Sequence, residues 1–453
     1  MKRISTLLLL IPFLSLAQSH EEMVKKIYGE TLTNSPVHEN LRVLCKDIGN
    51  RISGSPQAAA AVEYTKQLME SYGFDTVYLQ PVMVPHWVRG EKEIARITNS
   101  EKMGAFEMNT LALGNSVGTG SDGVLAEIIE LGGLDEVEAY GKKLEGKIVF
   151  FNGKMDPTVI NNFSAYGKAV VQRAWGASDA AKYGAKAVMV RSMTNRLDDA
   201  AHTGSLRYKP LIPQIPAVAI STNDAERLSR LLKEQDGLKA FIRTTSEMKE
   251  PVLSYNVIGE LRGSEFPEEI ISVGGHLDSW DVGEGANDDG SGCVQAIDAL
   301  RTFKALGIQP KRTLRAVMWM NEENGLMGGR EYAKVAEQKG EKHIAAIESD
   351  AGGFRPLGFS MAGTDQQKKK VKAWKDLFTP YGVWNFEQEG GGADIGPLQP
   401  LGTLLIGLRP NTQRYFIYHH TNLDVFEGVD KRELELGAAS MSALMYLLDQ
   451  EGL

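Results

Sequence analysis

The sequence predicts an α/β fold with a mixed, largely parallel central sheet sandwiched by helices, interrupted by an inserted β-rich unit. Two observations carry this. From Ser254 onward the apolar runs "IISVGG", "RTLRAVMWM", "HIAAIESD" and "LLIGL" alternate with the helix-like stretches "SGCVQAIDALRTFKALG", "GGREYAKVAEQKG", "KKKVKAWKDLFTPYG" and "KRELELGAASMSALMYLLDQ". Strand and helix in alternation are the signature of a sheet covered on both faces. Between about residues 114 and 249 this regularity gives way to a Gly/Ser-rich crossing and short strand signals set among loops. A chain of 453 residues, 42% hydrophobic, is also longer than one core normally organises, so two or three domains are expected.

In chain order, the opening "MKRISTLLLLIPFLSLAQ" places an apolar stretch, residues 7–16, behind a basic start and ahead of the small residue Ala17. This is the composition of an export signal. Residues 1–17 are therefore set apart from the fold, and the mature chain is expected in the periplasm or outside the cell. No other stretch is long and apolar enough to span a bilayer, so no membrane contact is expected once the signal is removed. The first part of the main domain, 18–113, holds two amphipathic helices separated by a Gly/Ser/Pro turn, with Ser55 capping and Pro56 as first helical residue. Strand patterns follow at 76–84 and 92–98. The inserted unit, 114–249, opens with "LGNSVGTGSDGV" and carries the strand signals "GKIVFF", "AKAVMV" and "IPAVAIS" around one helix at 177–183. The main domain resumes at 250 and runs to 453.

Net charge is −8, from 50 basic and 58 acidic residues. With no basic cluster beyond "KKK" at 368–370, nucleic acid is not an expected partner. Cys45 and Cys293, the two cysteines, both lie in apolar helix-like contexts. A disulfide and a pair of buried thiols are both compatible with that setting.

In such a sheet the functional groups gather just past the carboxyl ends of the strands. One end gives His276 and Asp278, which strand alternation points the same way, followed by Asp288 and Asp289 in "GEGANDDGSG". A second ends in "MNEENG" with Glu322 and Glu323, a third in "IESDAGG" with Asp350, and "YFIYHHTNLD" adds His419, His420 and Asp424. Each alone reads as an ordinary cap, solvated loop or surface pair. Their recurrence at the ends of one sheet singles them out. Two histidines with three carboxylates form a mixed N/O donor set suited to zinc, and without a cysteine cluster the centre is of the open, catalytic kind. A carboxylate shared between two ions would let five side chains supply each ion with three ligands and leave positions for water and substrate.

The ordered series "HLDSW", "GANDDGSG", "NEENGLMGG", "ESDAGG" and "YHHTNLD" closely resembles the dinuclear zinc exopeptidases related to bacterial secreted leucyl aminopeptidase. Within that family the likeness is nearest to its small-peptide carboxypeptidases. It covers nearly the whole mature chain, including "VPHWVRGE", and the inserted unit resembles a protease-associated domain. The resemblance implies two zinc ions per chain, bridged by Asp288, with His276 and Asp350 completing one site and Glu323 and His420 the other. It makes Glu322 the general base and Asp278 the group that orients His276 through its second ring nitrogen. It places His419, immediately before the last ligand, as the donor to the oxyanion. The implied substrates are dipeptides and short unblocked peptides, and the implied assembly is a homodimer. An aminopeptidase acting on longer peptides and a single-zinc glutaminyl cyclase share much of this pattern. A receptor built on the same domains would have lost ligands, which this sequence keeps. The glycines of "EGGGADIGPL" are expected to let backbone approach a ligand at the rim of the site. Arg409 and Arg414 are candidates for holding a substrate carboxylate, or else solvated loop arginines.

Overall fold

A computed structural model describes residues 11–453. Its first sheet has eight strands, in chain order β1 (Thr76–Val88), β2 (Glu247–Leu261), β3 (Phe266–His276), β4 (Arg312–Trp319), β5 (Lys342–Glu348), β6 (Pro356–Ala362), β7 (Asn385–Glu389) and β8 (Leu404–Pro410). Their spatial order is β1-β2-β4-β3-β5-β8-β6-β7. The central pairs β4–β3, β3–β5 and β5–β8 are parallel, whereas β1–β2, β2–β4 and β8–β6 are antiparallel. The sheet is thus mixed with a parallel centre.

The apolar runs read as continuous because both faces of these strands are covered. Along β4, Leu314, Ala316 and Met318 pack toward the helices Ser291–Leu306 and Lys431–Glu451. The alternate residues Val317 and Trp319 pack toward the helix Met327–Lys339 through Tyr332, Ala333 and Ala336. Full burial of a large apolar side chain contributes about 1.5–3 kcal/mol, so this double-sided core holds the parallel strand ends in a fixed arrangement. The helix Ile11–Asn34, which the sequence did not announce, lies on the final helix, where the Tyr28 and Ser440 hydroxyls are 2.8 Å apart. Residues 1–10 of the expected leader lie outside the described residues. Ser55 caps the helix Pro56–Ser71 as expected, its hydroxyl accepting from the Ala58 N–H at 3.0 Å.

The second sheet also has eight strands and lies in the chain between β1 and β2. It begins earlier than the sequence indicated. Ile94–Ser100, Gly104–Glu107 and Thr110–Ala112, which fall inside the expected main-domain segment 18–113, belong to this sheet and not to the first. The reason is pairing at long range: Ile94 to Ile97 run antiparallel to Arg243 to Ala240, a partner that local strand pattern does not reveal. The crossover is fastened by Arg89, whose guanidinium pairs with Asp281 and Glu93 and donates to the Ala112 carbonyl. The helical part of the insertion is longer than expected as well, with a further helix at Thr222–Glu234 and helices at Asn162–Ala169 and Val171–Ala181 in place of one at 177–183. Gly167 and the β-branched pair Val170 and Val171 obscure the helical period there. Cys45 and Cys293 are both buried and free, which settles the alternative left open by sequence.

Candidate metal centre

The strand ends converge as the sequence indicated. His276 closes β3, and its Nε2 lies 3.2 Å from Asp288 Oδ1 and 3.6 Å from Asp350 Oδ1. His420 Nε2 lies 3.4 Å from the other Asp288 oxygen, Oδ2, and 3.1 Å from Glu323 Oε2. Two donor triads therefore meet at one carboxylate, each of whose oxygens faces a different histidine.

Two local features make this possible. Consecutive side chains on an extended chain point to opposite sides, but the backbone at His420 is left-handed, with φ of 62°. That turn lays the rings of His419 and His420 on one another, with centroids 3.5 Å apart. Asp424 fixes the Asp288 loop by accepting from the backbone N–H groups of Asn287 and Asp288, at 2.8 and 3.1 Å. Arg51, fully buried, pins the same loop by donating to the carbonyls of Leu277, Glu284 and Gly285.

Asp278 acts differently from the expectation. Its carboxylate is 3.8 Å from His276 Nδ1, whereas its own main-chain carbonyl accepts from that nitrogen at 2.9 Å. The carboxylate instead accepts the N–H groups of Asn321, Glu322 and Glu323, at 2.6, 3.0 and 3.4 Å. The sharp turn after β4 presents three amides to one anion. Asp278 thus orients His276 through backbone, and positions both glutamates through its side chain.

The donor set fits divalent cations. With Nδ1 of His276 donating to Asp278 O and Nδ1 of His420 facing Thr203 O at 3.3 Å, each Nε2 lone pair converges with carboxylate oxygens, an arrangement that a cation satisfies. Asp288 Oδ2 and Glu323 Oε1 are buried without a hydrogen-bond partner. A buried carboxylate in that condition is costly unless a cation meets it. Burial pushes the Asp288 and Glu323 carboxyls up, with neighbouring carboxylates adding to the effect. Burial likewise raises Glu322 to about 8, reinforced by Asp350, Asp278 and Asp288.

His419 is less well placed to ligate than His420, since its Nε2 is 4.0 Å from Asp288 Oδ2. It is buried among Tyr166, Tyr415 and Phe416. Burial holds it well below the usual histidine range, so it is a neutral ring with one N–H. A cleft of about 640 Å³ opens over the centre, with Asp288, Glu322, Glu323, Asp350, His419 and His420 in its wall. The inserted unit contributes Tyr166, Arg173 and Arg207 to the same wall, and the Thr203 N–H donates to the His420 carbonyl at 3.0 Å.

Other expectations resolve as follows. Gly392 permits a close approach, but to Glu348: a Cβ there would lie 2.1 Å from its carboxyl carbon. The Ala393 and Ile395 N–H groups donate to that carboxyl at 2.7 and 2.9 Å. Arg414 is a half-exposed surface residue paired with Glu433, outside the cleft lining. Arg409 borders a smaller adjoining cavity and is bound to Ser360 and the Gly391 carbonyl. Sequence reading missed Arg51, Tyr166 and Arg173, which carry no motif, and Tyr415, which opens the quoted segment "YFIYHHTNLD" without being singled out.

Comparison with known proteins places these observations. The model of peptidase family M28 matches residues 256–445. Carboxypeptidase Q of Bos taurus is 33% identical over 422 residues, covering 93% of this chain and 86% of its own length. The crystal structure of a peptidase M28 precursor from Shewanella amazonensis superposes with a TM-score of 0.91 at 32% identity, over 96% of this chain and 98% of that one. BSAP, a zinc aminopeptidase from Bacillus subtilis, matches with a TM-score of 0.65 at 20% identity, over 90% of this chain and 94% of its own, a likeness of fold.

Proposed function

Because the chain belongs to peptidase family M28, we propose that it is an exported zinc exopeptidase that holds two metal ions and hydrolyses dipeptides and other short peptides with free ends. The observation that carries the dinuclear reading is Asp288, whose two oxygens each face a separate histidine and carboxylate. Zinc bound there supplies Lewis acidity, polarising a carbonyl and acidifying a water. His276, Asp288 and Asp350 would hold one ion, and Asp288, Glu323 and His420 the other. Glu322, positioned only through its main-chain N–H, keeps its carboxylate to take a proton from the attacking water and to hand it to the leaving amine. His419 offers a neutral N–H where the oxyanion forms.

The inserted unit is a protease-associated domain on this proposal. Its wall narrows the cleft, which suits small substrates with free ends over folded proteins. Export after loss of residues 1–17 rests on the leader-like composition, and homodimer formation on likeness to the family; among the described residues no helix is long and apolar enough to cross a membrane.

Elemental analysis of protein purified without chelator should approach two zinc ions per chain, and His276→Ala and His420→Ala should each lower the count. A value that stays near one under zinc-replete conditions overturns the dinuclear reading and favours the cyclase alternative. Product analysis gives the second test: a free dipeptide is cleaved, and internal cleavage of casein is absent. Efficient cleavage within casein would exclude an exopeptidase.

A further inference from the structure

The two histidines of the metal centre are oriented by different parts of the fold. A histidine that binds metal through Nε2 carries its proton on Nδ1, and an acceptor facing that nitrogen fixes both the tautomer and the ring. For His276 the acceptor is the Asp278 carbonyl at 2.9 Å, two residues along the same strand end. For His420 it is the Thr203 carbonyl at 3.3 Å, which comes from the inserted unit. Arg173 Nη1 lies 3.4 Å from the same nitrogen but is a donor and cannot take that part.

Thr203 meets His420 a second time, its N–H donating to the His420 carbonyl at 3.0 Å. One residue of the insertion thus clasps a metal-binding histidine by ring and by backbone. The second bond bears on the left-handed conformation at His420, which is unfavourable for a residue with a side chain and persists only where its surroundings impose it. Gly204 makes the clasp possible. Its φ is 125°, and a Cβ there would lie 2.6 Å from His420 Nδ1 and 2.3 Å from Arg173 Nη1, so the site has no room for a side chain.

The clasp is itself anchored. The Gly204 carbonyl accepts from the Gly114 N–H at 3.0 Å, and Thr203 Oγ1 donates to the Ala112 carbonyl at 2.7 Å. Arg89 reaches the same two groups, the Ala112 carbonyl at 2.8 Å and Thr203 Oγ1 at 3.4 Å, while its pairing with Asp281 ties it to the loop that follows His276. The insertion is therefore seated on the main domain at the point where it holds His420.

We propose that the inserted unit completes one of the two metal sites. Thr203, seated by Gly204, is a positioning residue for His420, and the site of Asp288, Glu323 and His420 reaches its full zinc affinity only while the insertion is docked. The His276 site, oriented from within the main domain, does not depend on it. This rests on the dinuclear reading above.

The test isolates each site by substitution. His276→Ala leaves the His420 site, and His420→Ala leaves the His276 site; zinc affinity is measured by chelator competition on each, alone and combined with Gly204→Ala. In the His276→Ala background Gly204→Ala should weaken zinc about ten- to a hundredfold, the effect usual for a group that orients a metal ligand. In the His420→Ala background it should change nothing. Thr203→Val, which keeps the shape and the backbone bonds but loses the Oγ1 anchor, should weaken the same site by a smaller factor. Equal weakening in both backgrounds would make the insertion a general support of the fold, and unchanged affinity in His276→Ala would show that the ring is oriented without Thr203; either result overturns the proposal. If Gly204→Ala lowers the thermal midpoint in chelator, Thr203→Val decides by the same comparison. A wild type that holds a single zinc ion under zinc-replete conditions would instead overturn the dinuclear reading on which the proposal stands.

Discussion

Glu322→Gln should lower kcat by about a hundredfold or more while zinc content and thermal midpoint stay at wild-type values. The size follows from the proton transfers that a positioned general base performs. The selectivity follows from geometry. Glu323 Oε2 lies 3.1 Å from His420 Nε2, which is itself 3.4 Å from Asp288 Oδ2, whereas Glu322 sits in the cleft wall and pairs with neither His276 nor His420. Its backbone is held by Asp278, a bond that Gln keeps. Glutamine is close in volume and conserves the turn after β4, but its amide accepts no proton at working pH. Glu323→Gln, by contrast, should lose metal along with activity. Single-turnover rates with parallel zinc analysis separate the two. If Glu322→Gln retains wild-type kcat and Glu323→Gln abolishes it without metal loss, the two roles are exchanged.

What the sequence made legible was governed by short-range rules. Alternation and apolar periodicity locate the carboxylates and histidines at or just past the strand ends, whereas the choice of His276, Asp288, Glu323, Asp350 and His420 among them rests on the family resemblance; in the structure these five side chains converge. What was not legible depends on contacts across the chain. Strand Ile94–Ser100 has a strand-like sequence in either sheet, and only its pairing with Lys239–Arg243 decides between them. The role of Asp278 turned on which of its groups faces His276, backbone or carboxylate, a matter of about an ångström in the bend that follows β3. Arg51 lies more than 200 residues from Leu277 and Arg173 more than 200 from His420, in stretches with no catalytic pattern. The left-handed turn at His420 has no glycine to announce it, although it is what brings both histidines to one side.

Asp288→Ala should remove both metal ions and lower activity on the order of a thousandfold or more, the largest effect expected of any single substitution in this centre. His276, Asp350, Glu323 and His420 each belong to one triad, but Asp288 belongs to both. Its loss leaves each ion two protein side chains, below the three that a catalytic zinc site normally keeps. The fold should tolerate the change. Asp424 holds the loop through backbone N–H groups that alanine retains, and the deleted carboxylate is a buried anion facing other acids, with Oδ2 unpartnered. Removing such a group relieves a desolvation penalty that offsets the loss of its 3.2 Å contact with His276. In chelator, then, the variant should melt no lower than wild type. Zinc should separate them: metal that binds only the folded state adds about 2.7 kcal/mol per site at a hundredfold excess over Kd, so wild type gains thermal stability on zinc addition and Asp288→Ala does not. Retention of two ions, or an equal zinc-induced shift in both proteins, would show that Asp288 does not join the two triads. A variant that melts well below wild type in chelator would show that the carboxylate supports the fold.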